Sequence, residues 1–597
     1  MVDLFREAPL GQIIRYLSGN KYLLYQDEKS DFKCPSSYAH PETVKESTAS
    51  FNALEVGENS EETSDEKVER DGEHLGPRLT RTSTAAHRIT SFTAEQLEAQ
   101  QELSLEQTKS MVIVPTKTID GIVLVDWYTT DDPDNPQNWS PWKKHFVSLL
   151  ICLYTFVVYC GSAIYTPSTQ FVAEHFGVSI IAASLGLSLY VLACKLPTQR
   201  GTNGIGPLIF APLSEIPALG RNVPYIVTFA LFVILTVPTA LVDNFAGLLV
   251  LRFLLGFFGS PCLANGGASM QDIYSLLKLP YALIFWVSAA YCGPALGPLL
   301  SGFAVPAKNW RWSLWEILWM SGPVFILFFI CLPETSASNI LLRRAQRLRK
   351  LTGNQNLKSQ SEIDQANMKV SKVAFEALIK PWQISILDPA VAFTHIYTSI
   401  VYGIYYSFFE VFPLVYLGIY GMNLGEMGLV FLVVLIACII AAVTFAAYLW
   451  FYLEPDIMKR GLRAQEHRLV PALFAVFGPT IGLFLFGWTA RQSIHWVVPT
   501  IGIFIYAGSA FIILQCIFVY LPLTYPTYAA SLFAANDFCR SAFASGSIIF
   551  ARPMYLNLGI GRGISLLGGL SVLGIFGMYI LYFYGANLRA RSKFALS

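Results

Sequence analysis

"SIIAASLGLSLYVLACKLPTQRGTNGIGPLIFAPL", residues 179–213, is the stretch on which the fold turns. Ile180–Ala193 is an apolar run of 14 residues and Gly204–Ser214 is another of 11. A helix crossing the roughly 30 Å hydrocarbon core of a bilayer needs about 20 residues, so neither half spans alone, and joined they make one good span. Between them lie Lys195, Pro197, Arg200 and Gly201. As a helix this insert would put two cations near the bilayer centre, at roughly 5–7 kcal/mol on insertion scales. Pro197 would also break the backbone ladder. The stretch reads as one span interrupted by "CKLPTQRGTN" at 194–203.

Composition extends this reading to the whole chain. Of 597 residues, 53% are hydrophobic and 14% charged, whereas a soluble domain carries about 25% charged residues. With a mean hydropathy of +0.46, the chain reads as an all-α polytopic membrane protein. A net charge of +1 supplies no bulk attraction for nucleic acid. None of the ten cysteines forms a CxxC pair, so neither a disulfide framework nor a zinc site is expected. No pattern calls for a metal or a cofactor.

Apolar runs long enough to span lie near 145–166, 180–214, 223–242, 245–268, 279–303 and 312–332, and again near 389–417, 424–452, 469–490, 495–521, 527–550 and 562–585. This predicts a tail over 1–143, a six-helix bundle over 144–332, a central loop over 333–387, a second six-helix bundle over 388–586 and a short tail over 587–597. Lys143 and Lys144, "LLRRAQRLRKLTGNQNLKSQ" (341–360), "MKRGLRAQEHR" (458–468) and "LRARSK" (588–593) then share one side. The positive-inside rule puts that side, with both termini and the central loop, in the cytosol. The long tail opens with an amphipathic stretch carrying Leu10, Ile13, Ile14 and Leu17 on one face. It continues through a Ser/Thr/Glu-rich region of disordered character that includes "RLTRTSTAAHRITS" (78–91), a candidate regulatory segment. The start of the chain lacks the pattern of a signal peptide.

Ionisable residues inside spans are costly and mark candidate sites. Arg252 lies in the fourth span, Glu410 in the seventh, and Asp537 and Arg540 in the eleventh, three residues apart and able to satisfy each other. All four are candidates for proton coupling. A carboxylate facing a wet cavity can exchange protons, and an approaching guanidinium can displace them. Tyr406, Phe408, Phe409 and Phe412, which surround Glu410, and Asn536 are substrate-cavity candidates. Such aromatics suit planar or cationic amphiphiles, or they are ordinary helix packing. Glu215 and Arg221 flank a turn, with Gly206 and Gly220 beside them, and can pair in one conformation and separate in another. In the fifth span, Gly293, Pro294, Gly297, Pro298 and Gly302 combine close-packing positions with missing amide donors, which suits a sealing or gating helix as well as plain packing.

These motifs coincide with a family. The chain resembles the major facilitator superfamily, and within it the fungal twelve-span drug:proton antiporters, especially the yeast exporters linked to azole, benomyl and methotrexate resistance. The resemblance is carried by "DWYTTDDPDNPQNWSPWKK" (126–144), "GPLIFAPLSE" with Gly220 and Arg221, "RFLLGFFGSPCLANGGAS" (252–269), "GPALGPLLSG" (293–302), "LPETSASNILLRRAQRLR" (332–349), "FAANDFCRSAFA" (533–544) and the closing "LRARSKFA". It covers roughly residues 120–597, and "GQIIRYLSGNKYLLYQDE" near the start looks similar as well. It implies two six-helix bundles around a central cavity and proton-driven efflux by alternating access. Arg252 takes the proton-coupling role, the fifth-span glycines and prolines the antiport role, and Gly206, Glu215, Gly220 and Arg221 the gating role. Glu215 stands where the general superfamily form has an Asp.

The expectation is a monomeric plasma-membrane exporter, not an enzyme, that exchanges protons for small hydrophobic or cationic substrates. No Walker loop, HExxH or GxSxG appears in the chain. The competing readings are a nutrient or metabolite symporter of the same fold and a transport-dead membrane sensor. The family pattern runs across residues 194–203 without them. They are either translated intron from a misread splice junction or a real loop bulging from the second span.

Overall fold

The computed structural model describes residues 2–32, 34, 35, 38, 112–117, 121–193, 210, 213–275, 277–366, 379, 382–461, 463–525 and 529–592. Residues 194–203, Gly206 and the run 78–91 lie outside these described residues.

The first group of helices comprises α1 (Val2–Glu7), α2 (Pro9–Leu17), α3 (Pro141–Ala163), α4 (Thr169–Phe176), α5 (Ile180–Ala193), α6 (Asn222–Leu241), α7 (Phe245–Gly259), α8 (Pro261–Ile273), α9 (Leu279–Ala307) and α10 (Trp312–Cys331). Next come α11 (Ala337–Thr352) and α12 (Gln360–Ala366). The second group is α13 (Pro389–Phe412), α14 (Leu424–Val430), α15 (Leu432–Tyr448), α16 (Glu454–Arg460), α17 (Val470–Ala475), α18 (Phe477–Thr489), α19 (Val497–Thr524), α20 (Ala529–Leu558) and α21 (Ile560–Arg591). Local chemistry sets several starts. Ser140, Asn244, Asp388 and Asn423 each accept a backbone N–H in the first turn that follows, which satisfies donors a helix start leaves orphaned.

Among the described residues, nine helical stretches are long and apolar enough to cross a membrane, rather than twelve. The other three expected spans each have a reason to fall short. α5 reaches only Ala193, at the edge of the described residues. The apolar part of the fourth span, α7, gives way at Ser260–Pro261 to the polar α8. α20 is 30 residues long but carries Asp537, Arg540 and Arg552.

Helices α3, α5, α6, α7, α9 and α10 pack among themselves, and so do α13, α15, α18, α19, α20 and α21. The two bundles meet along two seams, α5 on α20 and α9 on α14 and α15. The α9 seam depends on missing side chains. A Cβ at Gly293 would lie 2.8 Å from the Phe156 carbonyl oxygen, one at Gly297 2.7 Å from the Ile164 nitrogen, and one at Gly302 2.7 Å from the Leu424 carbonyl oxygen. The first two positions press on α3 and the third on the second bundle, so one helix is clamped from both sides.

The tail and central loop contain more structure than their polar composition suggests. Strand β1 (Val123–Leu124) pairs in parallel with β2 (Leu357–Lys358), and residues 121–138 wrap α11. Arg344 is buried there, 2.6 Å from Asp132 and 2.8 Å from Asp134, with Tyr128 and Trp127 against its guanidinium. Asp27 reaches Arg347 at 2.9 Å, and Arg15 reaches Glu28 at 2.7 Å. Residues 121–138, with Tyr25 and Asp27 on Arg347, thus form a cap on α11, while α1 and α2 pack against α10. The apolar stripe of α2 is split, with Ile13 and Leu17 exposed and Leu10 and Ile14 half-buried.

Burial alone would raise the Asp134 carboxyl, but the adjacent Arg344 outweighs it and holds the group below its ordinary value. A carboxyl depressed in the folded state stabilises above its unfolded value, about pH 4, and loses that contribution as pH falls further. Arg344→Ala strands two carboxylates, one of them buried, and should cost the cap about 3–5 kcal/mol. Faster hydrogen exchange across residues 121–138, corrected for the intrinsic pH dependence of exchange, is the expected readout. Wild-type protection there should decline below about pH 4.

Candidate functional site

Arg252 projects from α7 into the first bundle and is completely buried. Its Nε donates to the Gly186 carbonyl at 3.1 Å, Nη1 to Gly161 at 2.9 Å and Nη2 to Ser162 at 3.1 Å. The guanidinium lies over the rings of Tyr190 and Tyr165, 4.5 and 4.9 Å from their centroids. Glycine makes this cage possible. A Cβ at Gly186 would stand 2.7 Å from the Tyr165 ring, and one at Gly161 3.0 Å from the Tyr190 hydroxyl. Carbonyl dipoles and aromatic faces compensate a charge taken out of water.

Asp537 and Arg540 form an ion pair along one face of α20, as their spacing suggests. Arg540 also lies over Tyr402, 4.7 Å from its centroid. Both line an internal cavity of about 70 Å³ between the bundles, together with Tyr159, Trp286, Tyr291 and Tyr402. Trp286 Nε1, Tyr291 Oη and Arg540 Nε have no hydrogen-bond partner among the described residues. Glu215, Arg221 and Gln271 also line the cavity, so the expected gate and the Asp537–Arg540 pair border one space.

At that gate Arg221 forms its ion pair with Asp272, at 3.0 Å, rather than with Glu215, and also donates to Ser214. The positive φ of Gly220 (+69°) turns the chain here, and its Cβ position is occupied by the Glu334 carboxylate. Glu334 in turn accepts the backbone N–H groups of Arg221, Asn222, Thr335 and Ser336, a negative charge at the positive end of α6. Sequence spacing offered Glu215 as the neighbour of Arg221. The actual partners lie 51 and 113 residues away, and their only advance signals were an acid near a span end and the "LPET" motif.

Glu410 is buried and accepts a hydrogen bond from Ser184 of α5 at 3.0 Å. It borders a second cavity, of about 440 Å³, with Phe409, Gln170 and Arg552. The aromatic candidates divide by helical face. Tyr406 lines a small space beside Ser162 and Tyr190, and Phe409 lines the Glu410 cavity. Phe408 instead packs on Phe486 and Tyr506, and Phe412 on Phe431 and Tyr416, because these two residues, one turn apart, share the helix face turned into the second bundle's core. Asn536 is buried and donates to Thr398 at 2.8 Å.

Two helical bundles that share a cavity edged with paired charges define a multi-pass membrane transporter. The chain belongs to the Major Facilitator Superfamily, whose family model matches residues 151–549. It is 46% identical to the MFS-type transporter pyvG of Aspergillus violaceofuscus, over 81% of this chain and 87% of that one. It is 40% identical to fluconazole resistance protein 1 of Saccharomyces cerevisiae, over 79% and 84%. To the cycloheximide resistance protein of Candida maltosa it is 34% identical, over the full length of both. Among solved structures it resembles the proton:xylose symporter XylE in fold, with a TM-score of 0.52, 12% identity, and coverage of 74% of this chain and 97% of that one.

The clamp on α9 sets a quantitative expectation. Gly297→Ala places a methyl against the α3 backbone and should destabilise by about 1–3 kcal/mol, the usual cost of overpacking. Gly322→Ala, on α10 with open space at its Cβ position, should leave the midpoint nearly unchanged. Thermal melting of both variants in detergent checks this.

Proposed function

We propose that this protein exports drugs and other hydrophobic toxicants across the plasma membrane in exchange for protons, by alternating access of the cavity between its bundles. One observation carries the reading. The Asp537–Arg540 pair and the Glu215–Arg221 turn line the same inter-bundle cavity, so a substrate there meets both a titratable group and the turn that would gate it. Relatives named for fluconazole and cycloheximide resistance support drugs as the cargo.

In this reading α5, α7 with α8, and α20 complete twelve spans, and both termini and the cap on α11 are cytosolic. The Glu215–Arg221 end of the cavity is then the inner mouth, and the Glu410 cavity opens outward. Ser184–Glu410 and Ser188–Ser545, at 3.0 and 2.6 Å, join the bundles on the closed outer side. Substrate entering from the cytosol meets aromatic walls and three donors without a partner among the described residues, Trp286 Nε1, Tyr291 Oη and Arg540 Nε. Outward opening breaks the α5–α20 contacts while α9 holds its seam. External protons reach Glu410, and protonation of a cavity carboxylate, Glu410 or Asp537, favours the return. Arg252 links that event to the packing of α3, α5 and α7.

Efflux of a fluorescent drug from cells, compared across external pH, tests this. Arg252→Ala should lose about tenfold or more of the pH-driven rate, equivalent to about 1.4 kcal/mol. Glu410→Gln should flatten the pH dependence. Unchanged pH-dependent efflux in both variants would remove the roles given to these residues.

A further inference from the structure

Arg252 and the Asp537–Arg540 pair lie in different bundles, yet a continuous chain of contacts joins them. Arg252 Nη2 donates to the Ser162 carbonyl at 3.1 Å. The Ser162 hydroxyl donates to the Tyr159 carbonyl at 2.7 Å and lies 3.1 Å from the Tyr406 hydroxyl. A serine hydroxyl has one hydrogen. With that hydrogen on Tyr159, Tyr406 is the donor to Ser162. Tyr406 in turn accepts from the Tyr402 hydroxyl at 3.5 Å, and Arg540 rests on the face of the Tyr402 ring. The order Tyr402, Tyr406, Ser162, Tyr159 therefore has one direction. Ser162, Tyr402 and Tyr406 are all buried.

We propose that the Tyr406–Ser162 hydrogen bond, which crosses from α13 to α3, is the coupling contact that reports the charge state of the Asp537–Arg540 pair to Arg252. This rests on the proton-exchange reading above and names its internal link. With Asp537 ionised, Arg540 is held between that carboxylate and the Tyr402 ring. Neutralising Asp537 removes the charge that anchors Arg540 and frees it to leave Tyr402. The Tyr402–Tyr406 contact then changes, and with it the hydrogen bond on Ser162. Ser162 is the same residue whose carbonyl holds Arg252, so a change on its side chain acts on the turn that fixes the guanidinium.

The neighbours of the pair leave this route open. Facing Asp537 and Arg540 are Tyr159 from α3, Tyr291 from α9, Tyr402 from α13 and the Phe518 ring from α19. α8 contributes Asn265 and Gln271 to their cavity, and Glu215 and Arg221 border it as well. α5 brings Tyr190 as its one ionisable side chain, and α21 carries its arginines, Arg562, Arg589 and Arg591, at its two ends.

The test uses full-length protein in liposomes, with gradient-driven drug transport measured across pH for wild type, Ser162→Ala, Tyr406→Phe, the double variant and Ser162→Thr. Tyr406→Phe removes one oxygen and keeps the ring, so its packing survives, and melting temperatures verify folding. Each single variant should slow gradient-driven transport about tenfold, within the usual range of coupling between sites, and flatten its pH profile. The double variant should be no slower than the slower single variant, and Ser162→Thr, which keeps the hydroxyl, should recover the wild-type profile. Single effects that multiply, or a wild-type pH profile in Tyr406→Phe, overturn the proposal while leaving proton exchange intact. Wild-type transport indifferent to the gradient would instead overturn the proton-exchange reading itself.

Discussion

A guanidinium inside a membrane bundle must have its N–H groups met, and this requirement at Arg252 organises the first bundle. On insertion scales the bare charge costs about 2.5–3.5 kcal/mol at a helix centre. Three carbonyls from α3 and α5 and two tyrosine rings offset that cost. The arrangement needs glycine at 186, where a Cβ would stand 2.7 Å from the Tyr165 ring, and leaves little room at 161, where one would stand 3.0 Å from the Tyr190 hydroxyl. It also fixes where α5 crosses α7, since Gly256 would place a Cβ 2.2 Å from the Tyr190 carbonyl oxygen. One buried charge therefore specifies the spacing of three helices.

The seams between bundles follow from a different economy. α9 meets both α3 and α14 through backbone-to-backbone contacts, and Gly428 presses on the Pro298 carbonyl from the other side. Such contacts are short-ranged and tolerate separation poorly, which suits a seam that stays closed. α5 meets the second bundle through polar groups, Ser188 on Ser545 of α20 and Ser184 on the Glu410 carboxylate of α13. Hydrogen bonds of that kind are exchanged for water at little net cost, which suits an interface that opens and closes. The asymmetry between a dry, glycine-lined seam and a polar one gives the two bundles an axis.

Much of this was legible in the sequence wherever the determinant is local. The apolar runs located the helices, the i, i+3 spacing of Asp537 and Arg540 anticipated their pairing, and the repeated Gly-Pro steps marked α9 as closely packed. Determinants distant in sequence were not legible. Arg221 takes Asp272 as its partner instead of the nearby Glu215, and Ser162 meets Tyr406 across 244 residues. Phe408 and Phe412 illustrate a second limit. Hydrophobicity marks a residue for burial but does not say which side of a helix faces a cavity, and the two rings lie in the second bundle's core. The cap was missed for a third reason. Its stability comes from Arg344 and Arg347 meeting acids brought from far along the chain, and composition reads those charges as solvated.

The central claim is obligatory exchange of drug for protons, and its most direct measurement is proton movement caused by drug. Purified protein is reconstituted with a pH dye trapped inside the liposomes, no pH gradient is imposed, and a drug gradient is applied. The account predicts that drug moving down its gradient drives protons the opposite way, with a dye response that saturates with drug and vanishes in the Arg252→Ala protein. Drug movement with no accompanying proton flux, or protons travelling in the same direction as drug, would contradict it.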